Sequence, residues 1–150
     1  MQHEQNTVRI LGPDNRQAGT GILVGPAQIL TCTHVVVAAQ GQPDADTANP
    51  AQGINVELPF LAAPAGGPLR ALPQRCKPVM PQPQVGDLAD IALLRLEDPS
   101  RLPAGAAPAT LRVLGQPFNR EAAAFGFQRW DGDTVRLSLL AMNTSGAVQI

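Results

Sequence analysis

The sequence predicts an all-β chain. A closed barrel of six antiparallel strands is expected over residues 1–97, a linker over 98–110, and further strands of a second unit over 111–150. Three observations point there. The apolar runs are short and are bounded by Gly, Pro, Asn and Asp, the punctuation of strands and tight turns. Glycine and proline number 14 and 15, too many for long helices. Several runs also alternate apolar and polar residues, the period of a half-buried strand, whereas helical periodicity is weak. At 150 residues, the chain is long enough for one ordinary domain or for part of a larger β fold.

Thr7 to Leu11 alternates and forms the first expected strand, closed by the turn cluster Gly12-Pro13-Asp14-Asn15. Ala18 to Gly25 is the second, with glycines at its start, and Gln28 to Thr33 the third, ending at His34. Residues 38–53, rich in Ala, Gln, Gly, Pro and Asp, read as a mobile surface excursion. Ile54 to Leu58, Arg70 to Lys77 and Asp90 to Leu96 complete the six, with a Pro-rich connection over 80–86. Six antiparallel strands suffice to close a small barrel, which removes exposed edges. Beyond the linker, Leu111 to Leu114, Ala122 to Phe127, Thr134 to Met142 and Ala147 to Ile150 are strand candidates of the second unit. With four Phe, one Trp and no Tyr, the core is expected to be built from Val, Leu, Ile and Ala.

Charged residues make up 15% of the chain and the net charge is -1, which argues against nucleic acid as a partner, since phosphate binding calls for surplus Lys and Arg. No run of about 18 apolar residues is present to cross a membrane. The first residues, Met1 to Asn6, are polar and lack a hydrophobic signal core, so a cytoplasmic protein is expected. Two cysteines, Cys32 and Cys76, do not make a disulfide scaffold and read as two buried thiols.

The chemistry-bearing residues are His34, just past the third strand, and Asp90, at the start of the sixth. A serine hydroxyl is a poor nucleophile at neutral pH and needs an imidazole to take its proton. The imidazole in turn needs a carboxylate on its other nitrogen, to fix the tautomer and to stabilise the imidazolium that forms. A His and an Asp held on rigid strands suit that task. Asp87, three residues earlier, competes for the acidic role but reads as a turn residue after Gly86.

Gly19-Thr20-Gly21-Ile22-Leu23-Val24 resembles the Gly-[Ser/Thr]-Gly-Phe-Leu-Val strand of bacterial trypsin-like serine peptidases. Ile29-Leu30-Thr31-Cys32-Thr33-His34-Val35-Val36 is similar to their Ile-Leu-Thr-Ala-Ala-His-Val-Val block, with Cys32 in place of an alanine, and Asp90-Ile91-Ala92-Leu93-Leu94-Arg95-Leu96 to their Asp-Ile-Ala-Leu-Leu-Lys-Leu block. Ala124-Phe125-Gly126-Phe127 is similar to the turn opening their second barrel, and Gly146 to Ile150 to the strand shortly before their nucleophile turn. The resemblance implies the trypsin-like double-barrel fold, with 98–110 as the inter-barrel linker and 111–150 as the start of a second, incomplete barrel, His34 as general base, Asp90 as its orienting partner, and a polypeptide substrate bound extended between barrels. It brings no cofactor and no metal.

The family's Gly-x-Ser-Gly nucleophile turn is not evident. Ser100 lies in the linker and Ser138 inside an apolar run. Ser145, in Asn143-Thr144-Ser145-Gly146-Ala147, bears a faint likeness to that turn, with Asn143 in place of its first glycine. Those glycines matter because they allow the strained turn whose N–H groups form the oxyanion hole. A hairpin turn over 143–146 is the alternative explanation of the segment, and is favoured. The nucleophile is then expected past Ile150, in the remaining C-terminal half of the peptidase domain, on the same or a separate chain. Two functions stand: a serine endopeptidase whose nucleophile segment is absent here, and an inactive peptidase-like module for protein recognition or complex assembly.

Other constellations are weaker. Cys32 and His34 could chelate zinc with Cys76 and His3, but the four are scattered, and no metal is expected. Trp130-Asp131-Gly132-Asp133 reads as a plain loop rather than a calcium site. Arg9-Ile10-Leu11-Gly12 resembles a zymogen activation site but lies only nine residues from the Gly19 strand, so it reads as the first strand instead.

Overall fold

The computed structural model describes residues 2–80, 89–111, 121–127, 137–143 and 147–148, and side chains within 4–80 and 89–111. The chain divides into two compact units, Met1–Thr110 and Leu111–Ile150.

The first unit is a closed antiparallel barrel of six strands: β1 (Thr7–Leu11), β2 (Gln17–Gly25), β3 (Gln28–Thr31), β4 (Ile54–Glu57), β5 (Leu69–Cys76) and β6 (Ala92–Leu96). Hydrogen-bonded neighbours run β1-β2-β3-β6-β5-β4, and β4 returns to β1 through Arg9↔Glu57, Ile10↔Val56 and Leu11↔Asn55. Arg9 and Glu57 form an ion pair across that closing seam. Alternation decides which face goes inward: Ala92, Leu94 and Leu96 of β6 are buried while Arg95 is exposed. The core is aliphatic, as composition requires. Val8, Ile10, Leu23, Ile29, Val56, Ala71, Ala92 and Leu94 are fully buried, and no aromatic joins them among the described residues. Pro73 sits inside β5, where it can donate no hydrogen bond, and the β5–β6 register shifts between Pro73 and Arg75. A bulge is where a strand tolerates proline.

One element departs from the sequence-based expectation. Thr33–Ala39 is a short helix, α1, so His34 lies in a first helical turn and not at a strand end. Its Thr-His-Val-Val-Val-Ala-Ala sequence is rich in β-branched residues, each costing about 0.5 kcal/mol of helix propensity. Burial outweighs this. Val35, Val36, Val37 and Ala39 are all buried, and a buried valine contributes about 1.5–3 kcal/mol. The helix packs on β1, β2 and β4.

The excursion after α1 is pinned to it and is not a loose loop. Gln40, 5% exposed, donates through Nε2 to the carbonyls of Asn49 (2.8 Å) and Gln52 (2.7 Å). Its Oε1 accepts the Asn49 N–H, and Gln52 Nε2 donates back to the Gln40 carbonyl. A buried amide with its groups satisfied this way rigidifies what it joins. Residues 98–110 also lie against the barrel, through Ala107 N–H to Gln5 O and Ala109 N–H to Leu23 O. Leu102 and Ala106 pack on the core there.

The second unit contains a three-stranded antiparallel sheet, β7 (Glu121–Phe127), β8 (Leu137–Asn143) and β9 (Ala147–Val148), in that order. β7 and β8 pair from Glu121↔Asn143 to Phe127↔Leu137, and β8 meets β9 through Met142↔Val148 and Asn143↔Ala147. The strand expected over Leu111 to Leu114 lies mostly outside the described residues.

Gly19 sets the approach of α1 to the barrel wall. A Cβ there would lie 2.6 Å from both Val35 methyl carbons. No real carbon atoms sit that close, so only glycine admits the helix at this distance. Gly19→Ala is expected to destabilise the fold by about 1–3 kcal/mol. In urea unfolding, the double variant with Val35→Ala should be more stable than the two single effects added together. Strict additivity would show that the two sites do not press on each other.

Candidate functional site

The site begins where β3 runs into α1. Thr31 donates its hydroxyl to the Thr20 carbonyl at 2.8 Å, fixing the end of β3 against β2. Cys32 follows in extended conformation as the N-cap of α1 and supplies no side-chain hydrogen bond to it. Thr33, fully buried, directs its hydroxyl at two carbonyls, Lys77 O at 2.6 Å and Ile91 O at 3.1 Å. Those carbonyls belong to the segments after β5 and before β6. The hydroxyl therefore stitches the first turn of α1 to the chain on either side of Asp90.

Asp90 is two residues before β6, and it is not part of that strand as the sequence suggested. Its backbone is left-handed, with φ at 55°. Aspartate visits this region more readily than most residues, at a cost of about 1 kcal/mol. Two backbone hydrogen bonds hold the turn: Asp90 N–H to Pro78 O at 2.7 Å and Lys77 N–H to Ile91 O at 2.8 Å. Asp46 supports it from the pinned excursion, its carbonyl accepting from Val79 N–H and its Oδ1 from Met80 N–H.

The turn aims the Asp90 carboxylate at the N-terminus of α1. Oδ1 accepts the backbone N–H of His34 at 2.8 Å, and Oδ2 lies 2.6 Å from His34 Nδ1. The Thr33 N–H also donates to the carboxylate. The first N–H groups of any helix lack partners within it. Here a carboxylate 56 residues downstream supplies what the N-cap Cys32 does not. One side chain thus caps the helix and fixes an imidazole on it. With Nδ1 against a carboxylate, the neutral ring carries its proton on Nδ1 and leaves the Nε2 lone pair free to accept one. The His34 side chain is 57% exposed, so a reacting group can reach it.

Partial burial pushes the Asp90 carboxyl up, but the hydrogen bonds from His34 and Thr33 and the charge on His34 outweigh it, holding the carboxyl below the usual range. Both thiols are half-buried, not buried as the sequence suggested, and neither is in a disulfide. Burial raises the Cys32 thiol, with Asp90's charge adding to it, and burial alone raises Cys76. Neither is an activated nucleophile. Cys32, His34 and Asp90 bring a sulfur, a ring nitrogen and a carboxylate oxygen to within 4.8 Å of one another. The metal-binding set considered from the sequence had Cys76 and His3 and lacked Asp90.

His34 and Asp90 are therefore brought together. Ser100 is engaged elsewhere, its hydroxyl and N–H both donating to Asp98 Oδ1 in a 3-10 turn over Pro99–Arg101. Ser138 lies on β8. Ser145, Asp87 and Trp130 to Asp133 fall outside the described residues. Sequence reasoning missed Thr33 as the tie between helix and Asp90 turn. Its one signal is a hydroxyl residue directly before the histidine, which does not tell which carbonyls it meets. Among the described residues, no helix is long and apolar enough to cross a membrane.

The family model of the trypsin-like peptidase domain matches residues 19–149, most of the chain. No curated protein matches it.

A carboxyl depressed by native contacts contributes stability that is present above its unfolded pKa and lost as pH falls through its folded one. Asp90→Ala is accordingly expected to cost about 1–2 kcal/mol near neutral pH, the scale of a lost helix cap joined by a charged hydrogen bond. The gap from the parent should close as acid titrates the carboxyl, when urea unfolding is followed across the acidic range. A gap that persists into strong acid would place the effect in packing instead.

Proposed function

The chain belongs to the trypsin-like peptidase family, and on that premise we propose that it is a serine endopeptidase in which His34 is the general base and Asp90 orients it. The observation that carries this reading is the 2.6 Å contact between His34 Nδ1 and Asp90 Oδ2, on an imidazole whose other nitrogen faces outward from the hydrogen bond. A serine hydroxyl gives its proton to Nε2 as its oxygen attacks the scissile carbonyl. Asp90 stabilises the imidazolium that forms. The imidazolium then returns the proton to the leaving amine, and water repeats the cycle on the acyl-enzyme. Ser145 is the one serine in the chain whose surroundings bear any likeness to a nucleophile turn. The other assignment puts the nucleophile in a C-terminal half of the domain that acts as partner to this one. The substrate is a polypeptide. Two unpaired thiols support a reducing, cytoplasmic setting, and the Gly19 to Val24 strand supports the bacterial type of the family.

The test is fluorophosphonate labelling of the native polypeptide that carries this chain, with the modified serine located by mass spectrometry. Labelling is expected, at Ser145 or at a serine of the partner half. His34→Ala should slow both labelling and peptide hydrolysis about a thousandfold or more. Labelling that is indifferent to His34→Ala, or wholly absent, would overturn the enzyme reading and favour an inactive protein-binding module.

A further inference from the structure

The same corner of the barrel holds a second kind of chemistry. Cys32, His34 and Asp90 offer a sulfur, a nitrogen and an oxygen, all within 4.8 Å of one another. Cys32 and Asp90 are half-buried and His34 is exposed, so the cluster is open on one side to solvent and firmly held on the other. Cys32 is the N-cap of α1, His34 is in its first turn, and Asp90 is hydrogen-bonded to that turn. All three ligands are thus fixed to one rigid point.

We propose that Cys32, His34 and Asp90 form a binding site for a borderline-soft divalent cation such as zinc, which silences the His34–Asp90 pair while bound. This rests on the peptidase reading only for its regulatory consequence; the site itself does not need it.

The donor set fits the ion. Thiolate, imidazole and carboxylate are the three protein ligand types of zinc, and three of them plus water complete a tetrahedron. Ligand atoms around tetrahedral zinc stand about 3.3–3.7 Å apart, from bond lengths of about 2.0–2.3 Å. The cluster needs to contract by about 1 Å at its widest, within reach of a cysteine side-chain rotation, while Asp90 Oδ2 and His34 Nδ1 must part slightly from 2.6 Å. Charge also balances: a thiolate and a carboxylate together neutralise a dication. Binding forms the metal–sulfur bond and releases the thiol proton to solvent, with no oxidant or reductant involved.

Coordination disables the imidazole whichever nitrogen it uses. On Nε2, the ion occupies the lone pair that a general base requires. On Nδ1, the ring proton moves to Nε2, which then cannot accept another. The ion also withdraws Asp90 from its orienting contact.

The full chain is titrated with zinc by calorimetry and, separately, with cobalt, whose bond to a thiolate gives a near-ultraviolet charge-transfer band. One ion per chain and that band are expected. Cys32→Ala and Cys32→Ser should each abolish the band and weaken zinc binding at least tenfold, and His34→Ala should weaken it comparably. Cys76→Ala should leave both unchanged. The pair of Cys32 substitutions guards against one misfolding, which circular dichroism detects. Absence of binding, a cobalt spectrum without the sulfur band, or a loss that follows Cys76 instead of Cys32 would overturn the site. Fluorophosphonate labelling run in parallel separates the two readings. A labelled protein that binds no cobalt refutes the metal site alone. An unlabelled protein with the Cys32-dependent band refutes the peptidase reading and leaves the site standing.

Discussion

The carboxylate of Asp90 is the constraint on which this end of the molecule depends. It closes the open N-terminus of α1 and holds the His34 ring in place through Nδ1. A helix N-terminus is commonly capped by the residue beside it. Here the capping and the hold on the ring both fall to one side chain, so the position of the helix and the position of the ring cannot vary independently. The left-handed backbone of Asp90 follows from the same demand. Only a sharp turn before β6 lets the carboxylate face back across the strand toward the helix, and Pro78 O, Thr33 Oγ1 and Asp46 fasten that turn from three directions.

The barrel makes this possible by fixing distance. β3 and β6 are hydrogen-bonded neighbours, with Thr31 opposite Ala92, so the residues just past one strand and just before the other are held side by side. Cys76 pairs with Ala92 from the other flank. The site is thus an outcome of strand register. A slip by one residue would invert every inward side chain of β6 and carry Asp90 off its target. Register is well defended here, because Ala92, Leu94 and Leu96 have no favourable alternative to the core.

Most of the barrel was legible in the sequence, since alternation and turn residues mark strands locally. His34 and Asp90 stood out as a pair through resemblance to the trypsin-like blocks, and the strands around them explain why they meet. The helix was not legible. Thr-His-Val-Val-Val carries a strong β preference, and what turns it into a helix is burial against Gly19 and the walls of β1 and β4, which no local window contains. The Gln40 clamp was hidden for a related reason: a glutamine in a polar, Pro-containing stretch looks like surface until its partners nine and twelve residues on fold over it. Cys32 near Asp90 was likewise invisible, because proximity across two strands is a property of the sheet and not of the spacing.

The shared duty of Asp90 makes the two residues of the pair unequal as witnesses. The ring at position 34 is more than half in solvent, so its removal costs the fold little. The acid at position 90 anchors the helix whether or not the ring is present. An aspartate at this place is therefore a mark of architecture, and by itself says nothing of enzymatic competence.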